Sequence, residues 1–172
     1  VLTVIGLMAG SVLVGQHMIK ASEINAIIGK FDEYKRLFDN FQERYNGLPG
    51  DLGNAADYWS ACTDDGANTC NGDGDFKIGS ALSTEALRYW QHLYLAGLMP
   101  GNFTGVYSLP AAVVLPGENV PDETSVNGVY WVGYSNFGGS TSHNYLKLGA
   151  LDSGSPPYPN NGVLTPADAY SI

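Results

Sequence analysis

Positive charge is scarce over most of this chain. Of the eight lysines and arginines in 172 residues, only Lys77, Arg88 and Lys147 follow Asn46, against twelve acidic residues in the same stretch. Residues 1–46 balance five basic against five acidic residues, so residues 47–172 alone account for the net charge of −9. Phosphate binding needs clustered Lys and Arg, and their absence argues against nucleic acid or an anionic membrane surface as a partner of this part. An acidic surface suits solvent or a divalent cation instead. Signatures of catalysis are missing too. There is no G-x-S-x-G, and no Ser, His and acid group is marked out by its setting. None of His17, His92 and His143 has a second His or Cys at ligand spacing, so each reads as an ordinary surface or packing residue, and no enzymatic activity is expected. Cysteine is limited to Cys62 and Cys70. They flank a polar, Gly-containing turn, which favours a disulfide over a zinc site that would need two further ligands. Such a bridge implies an oxidising, extracytoplasmic compartment.

The stretch that is rich in pattern is residues 1–46, which read as one long helix of two characters. The run VLTVIGLMAGSVLV carries no charge and is relieved only by Thr3, Gly6, Gly10 and Ser11. A polar break at Gln16, His17 and Lys20 follows. Apolar residues then return at steps of three and four: Ile24, Ile27, Ile28, Phe31, Tyr34, Phe38, Phe41 and Tyr45. Charged residues occupy the other face, where Asp32 and Arg36 stand at i,i+4. Large rings at this spacing are how a helix buries itself against a globular partner, and a conductive stack is the weaker reading. A helix of about 45 residues runs roughly 70 Å, against ~30 Å for a small domain, so its front half is expected to project. Residues 1–23 are then the protruding apolar half, and residues 24–172 the globular head with the amphipathic half, 24–46. The apolar run is shorter than the about 20 residues of a membrane span, and it lacks the basic leader and cleavage site of a signal peptide. The reading that fits best is a processed subunit whose apolar helix leaves the membrane to pack among copies of itself.

The helix, the junction residues Tyr45, Leu48, Pro49, Gly50 and Asp51, the segment NAADYW at 54–59 and WQHLYLAGL at 90–98 together resemble type IV pilins and pilin-like proteins with the prepilin-type N-terminal segment. The resemblance covers residues 1 to about 105. It implies a pilin-like α+β fold, with a long projecting helix packed on a small antiparallel sheet and a second helix. It also implies processing by a prepilin peptidase, residence in the inner membrane, and polymerisation by the pilus assembly machinery into an extracellular bacterial filament. Val1, Leu2, Val4, Ile5, Leu7, Met8, Val12, Leu13 and Val14 would form the core of that homopolymer. Attachment, twitching, DNA uptake and export all use this subunit plan. The family's cleavage motif, a Gly before a mature Phe with a Glu a few residues on, is missing here, so both ends of the natural chain are expected to extend further. Gly6, Gly10 and Gly15 each cost about 1 kcal/mol against Ala in a helix. One reading is that the helix melts between Gly6 and Gly15 on assembly, as related filaments do; its rival is small-residue contact between helices. The closest competing function is a type II secretion pseudopilin. From another class, a membrane-anchored calcium-binding adhesin competes.

Within the head, Asn46-Gly47 and Pro49-Gly50 end the long helix. Residues 51–60 read as a short helix or turn with Tyr58 and Trp59 over the core, and residues 83–98 as a second helix capped by Ser83. Its apolar face is Ala86, Leu87, Trp90, Leu93, Tyr94 and Leu98. Strands are expected at 105–109, 111–115, 128–134 and 144–148, the last two joined by a hairpin at Phe137-Gly138-Gly139-Ser140. Residues 152–162 read as surface loop. Near the end, Thr165 is a candidate N-cap with Pro166 at the first helical position. Asn102-Phe103-Thr104 matches the N-glycosylation pattern, a match frequent by chance.

One motif carries possible chemistry. Asn71, Asp73 and Asp75 alternate with glycines, and the Lys77 carbonyl follows at the next alternate position, as at positions one, three, five and seven of a calcium loop. Glu85 would close the shell, from the fifteenth position instead of the twelfth, and Phe76 stands where an EF-hand has its turn glycine. Calcium is the candidate cofactor. The competing reading is a solvated acidic loop tethered by Cys70, since Asn, Asp and Gly cluster in turns.

Overall fold

The helix expected over 1–46 forms almost as read: α1 runs without a break over Leu2–Tyr45, 44 residues or about 66 Å. The computed structural model describes residues 2–60, 62, 70–79, 84–107, 113–136, 141–154 and 157–170, and for 2–14 and His17 the backbone only. The side chains assigned to a filament core by the resemblance, Val1 to Val14, therefore lie outside the described residues. Gly6, Gly10 and Gly15 all sit in helical backbone. The later turns of α1 bury Ile27, Tyr34 and Phe41, while Lys30, Asp32, Lys35, Arg36 and Asp39 stay exposed. Along that face the ion pairs are Lys30 with Glu33 at 2.8 Å and Lys35 with Asp39 at 3.0 Å. Exposed pairs of this kind contribute at most about 1 kcal/mol, so burial of the stripe dominates. Among the described residues no helix is long and apolar enough to cross a membrane.

The chain divides into two compact units, Val1–Glu33 with Leu164–Ile172, and Tyr34–Val163. The first holds most of α1 and a short last helix, Pro166–Tyr170. That helix starts where the sequence placed it, through a reciprocal cap: Thr165 Oγ1 accepts the Asp168 N–H at 3.3 Å and Asp168 Oδ2 accepts the Thr165 N–H at 3.3 Å. Lys20 Nζ lies 2.9 Å from the same carboxylate. This ammonium, with the Thr165 hydroxyl, holds the Asp168 carboxyl below its usual range.

The second unit begins on the last turns of α1. Asn46 ends them in the left-handed region, at φ 51°, as its tolerance of that geometry led one to expect. Gly50, at φ 87°, passes so close to the next helix that a Cβ would stand 2.3 Å from the Glu85 carbonyl oxygen. The short α2, Ala55–Tyr58, and then α3, Glu85–Leu95, follow. The α3 helix is shorter than the expected 83–98. Ser83 lies outside the described residues, and the adjacent Thr84 makes no side-chain cap. At the other end Gly97 turns left-handed at φ 69°; its N–H donates to the Tyr94 carbonyl at 2.9 Å and the Leu98 N–H to the Leu93 carbonyl at 3.0 Å. Paired bonds of this kind stop a helix. Ala86, Leu87, Trp90 and Leu93 are buried as expected, but so are Glu85, Tyr89, Gln91 and His92, so α3 is enclosed on nearly all sides.

The sheet has three antiparallel strands in chain order: β1, Asp122–Glu123, β2, Gly128–Ser135, and β3, His143–Gly149. Val129 pairs with Gly149 and Ser135 with His143. Residues 128–133 of β2 are all buried, so its apolar run is covered on both faces instead of alternating. Tyr34 joins helix to sheet, edge-on to Trp90 at 5.1 Å and to Tyr130 at 4.9 Å. Two sequence expectations fail here. Residues 105–107 are irregular, Val113 is a single bridge residue and 114–115 lie outside any strand; the buried Asn119 amide reaches into this backbone where a strand ladder was expected. Its Nδ2 donates to the Val106 and Val113 carbonyls and its Oδ1 accepts the Leu115 N–H at 2.8 Å. Residues 108–112 and the hairpin at Phe137 to Ser140 lie outside the described residues. The strand β1 was not foreseen, since two acidic residues carry no strand signal. The result is an α+β chain.

Candidate cation site

Cys62 and Cys70 form the disulfide, which ties down the irregular segment 70–79. That segment has a backbone crossing to make: Gly72 passes Asp51 so closely that a Cβ there would stand 2.3 Å from the Asp51 Cα. Only glycine fits such an approach. The Gly72 N–H donates to the Leu52 carbonyl at 3.0 Å and the Gly74 N–H to the Asp51 carbonyl at 3.1 Å, which fold the segment over Asp51.

The Asp51 carboxylate is the centre of the arrangement. It is 2% exposed; Oδ1 accepts the N–H groups of Gly74 at 2.7 Å and Asp75 at 3.2 Å, and Oδ2 that of Phe76 at 2.8 Å. Glu85, the first residue of α3, accepts the Asp73 N–H at 3.2 Å and the Gly79 N–H at 2.7 Å. Oxygens of Asp51, Asp73 and Glu85 all lie within 4.8 Å of one another. Burial, with the negative charges of Glu85 and Asp73, pushes the Asp51 carboxyl up to about 6, against the pull of the Phe76 and Gly74 N–H groups. Three carboxylates this close repel one another, and a hard divalent cation with oxygen ligands is what such a set can hold.

Of the residues the sequence pattern grouped, Asp73 and Glu85 meet here. Asn71 turns away: its Oδ1 accepts the Ala56 N–H at 2.8 Å, and its carbonyl accepts from Arg88 Nη1 at 2.7 Å. The Asp75 carboxylate is engaged by Lys77, whose ammonium lies 2.6 Å from Oδ2 and whose N–H donates to Oδ1 at 2.9 Å. That ammonium holds the Asp75 carboxyl below its usual range. Asp51 was absent from the sequence grouping. It stands twenty-two residues before Asp73, in a Pro-Gly-Asp turn, and only the fold brings the two together.

His92 braces the site from behind. It is fully buried; its Nδ1 accepts the Gly50 N–H at 2.9 Å, so Nε2 carries the proton and donates to the Cys70 carbonyl at 2.9 Å. Gly50 precedes Asp51 and Cys70 precedes Asn71, so one ring fixes the spacing of both strands of the site. Burial, with Arg88 nearby, pushes the imidazole down to about 4. The ring is neutral and serves packing, while His143 is exposed. No protein-family model matches this chain, and comparison with curated proteins and with solved structures also found no match.

Proposed function

We propose that this chain is a pilin-like structural subunit of an extracellular helical filament at the bacterial cell surface, without enzymatic activity. The observation that carries the reading is α1: one unbroken helix over Leu2–Tyr45, whose first third has no charged residue and whose later turns bury Ile27, Tyr34 and Phe41. The disulfide supports an oxidising compartment, and the resemblance at the N-terminal segment and the Leu-Pro-Gly-Asp junction supports the family. In this reading the apolar half of α1 has two surroundings in turn, the inner membrane and then the same segment of neighbouring subunits. Both are equally apolar, so the transfer driven by the assembly machinery costs little.

A second reading is a membrane-anchored calcium-binding adhesin that does not polymerise, and the observation that favours it is the juxtaposition of Asp51, Asp73 and Glu85, which would take Ca2+. Deletion of residues 1–17 separates the two readings. A filament subunit so truncated loses all helical assembly and is lost from the cell surface; an adhesin retains calcium-dependent binding as a single particle.

A further inference from the structure

Four asparagines in this chain stand directly before a glycine: Asn46, Asn71, Asn127 and Asn161. An asparagine so placed can lose its side-chain amide, because glycine has no Cβ to keep its backbone nitrogen from swinging onto the preceding Cγ. The reaction needs a glycine N–H that is free, water around it, and room for the chain to turn.

Three of the four pairs fail that requirement. Gly47 is buried, with Leu52 Cδ1 only 2.8 Å from where its Cβ would stand. The Gly72 N–H is held by the Leu52 carbonyl at 3.0 Å, and Asn71 Oδ1 by the Ala56 N–H at 2.8 Å. Gly128 is buried and paired with Glu123 in the sheet. Asn161 and Gly162 differ, since both are exposed. Apart from its chain neighbours, no atom lies within 4 Å of a Cβ built on Gly162, and among the described residues its N–H makes no hydrogen bond.

We propose that Asn161 deamidates spontaneously and that the conversion frees the loop it closes. Hydroxide takes the Gly162 amide proton, and the nitrogen attacks Asn161 Cγ. As the N–Cγ bond forms the Cγ–Nδ2 bond breaks, and ammonia leaves with a proton from water, which restores the hydroxide. One water then opens the cyclic imide. Cleavage at Cγ gives aspartate; cleavage at the backbone carbonyl gives isoaspartate, whose main chain is longer by one carbon.

Asn161 holds the base of that loop. Its N–H donates to the Ala150 carbonyl at 3.1 Å and its carbonyl accepts the Ala150 N–H at 2.9 Å, while Nδ2 donates to the Leu151 carbonyl at 3.2 Å. Within the loop Tyr158 stands edge-on to the buried Trp131 at 5.6 Å. Aspartate sets a carboxylate against the Leu151 carbonyl in place of a donor, and isoaspartate also shifts the bonds to Ala150 out of register. This inference does not rest on the filament reading.

The test incubates the full chain at neutral pH and body temperature, digests aliquots with trypsin, and separates the asparagine, aspartate and isoaspartate forms of each peptide before mass spectrometry. In the folded chain, conversion at 161 is expected to run at least about tenfold ahead of that at 46, 71 and 127, whose glycines must first break free. In urea with reductant the four rates should converge. Hydrogen exchange at the Ala150 N–H should be about tenfold faster in the converted fraction than in fresh chain. Asn161→Asp, which has the charge without the extra carbon, should show part of that gain, and Asn161→Gln should stay unconverted over the same period. Equal rates at the four sites of the folded chain, or a converted chain whose Ala150 N–H exchanges no faster, would overturn the inference.

Discussion

The Gly50 N–H donates to Nδ1 of His92 at 2.9 Å, a bond that exists only while the imidazole is neutral. Protonation would set an N–H against an N–H beneath Asp51. The folded-state value of about 4 lies below the ordinary 6.5, so the unfolded chain binds the proton first. His92 therefore contributes stability that is complete above pH 6.5 and is lost as pH falls towards 4, on the order of 3 kcal/mol in all. Urea titrations at a series of pH values measure it. His92→Phe should remove that slope and cost about 2–4 kcal/mol at pH 7, because the Gly50 N–H and the Cys70 carbonyl are left buried without a partner.

Asp51 has the opposite sign. Its carboxyl is raised from 3.8 to about 6, so the folded chain holds the proton longer, and the contribution is full below pH 3.8 and lost as pH rises through 6. In a chelator this slope opposes that of His92 over the same range, and His92→Phe should expose it alone. Asp51→Asn should abolish it.

Calcium should act where Asp51 is ionised. The melting temperature in excess calcium minus that in chelator is expected to be near zero at pH 4.5 and to grow through pH 6; at a calcium concentration a hundred times the dissociation constant it corresponds to about 2.7 kcal/mol. Glu85→Gln should abolish the difference. Asp75→Asn, which changes a carboxylate already engaged by Lys77, should leave most of it.

Reducing the disulfide, which spans eight positions of sequence, should cost about 2–3 kcal/mol on the chain-entropy model. The same titration with and without reductant measures it. The loss should also flatten the calcium response, since Cys70 anchors the segment that carries Asp73.

Much of this was legible in the chain itself. The three-and-four spacing found α1 and its buried Tyr34 and Phe41, Asn46 marked its end, and Thr165 with Pro166 marked a helix start. The alternation of Asn71, Asp73 and Asp75 pointed at the loop whose Asp73 meets Asp51 and Glu85. What it could not carry was direction: alternate positions in a loop do not share a face when glycines bend it, so Asn71 and Asp75 turn to the Ala56 N–H and to Lys77. Asp51 carried no local signal, because its burial depends on Gly72 crossing over it. Residues 105–107 and 114–115 read as strand on composition, but Asn119 satisfies that backbone from the side.

Phe41→Ala should cost about 3–5 kcal/mol, because the ring is fully buried against Tyr45 and His92. Arg36→Ala should leave the stability of the isolated subunit unchanged within about 0.5 kcal/mol.

Electron cryomicroscopy of native material sheared from cells that make this chain tests the central proposal most directly. The expected result is a helical fibre with residues 1–23 of many copies bundled along its axis and residues 34–163 on its outside. Uniform single particles, with residues 1–14 buried inside one copy, would contradict it.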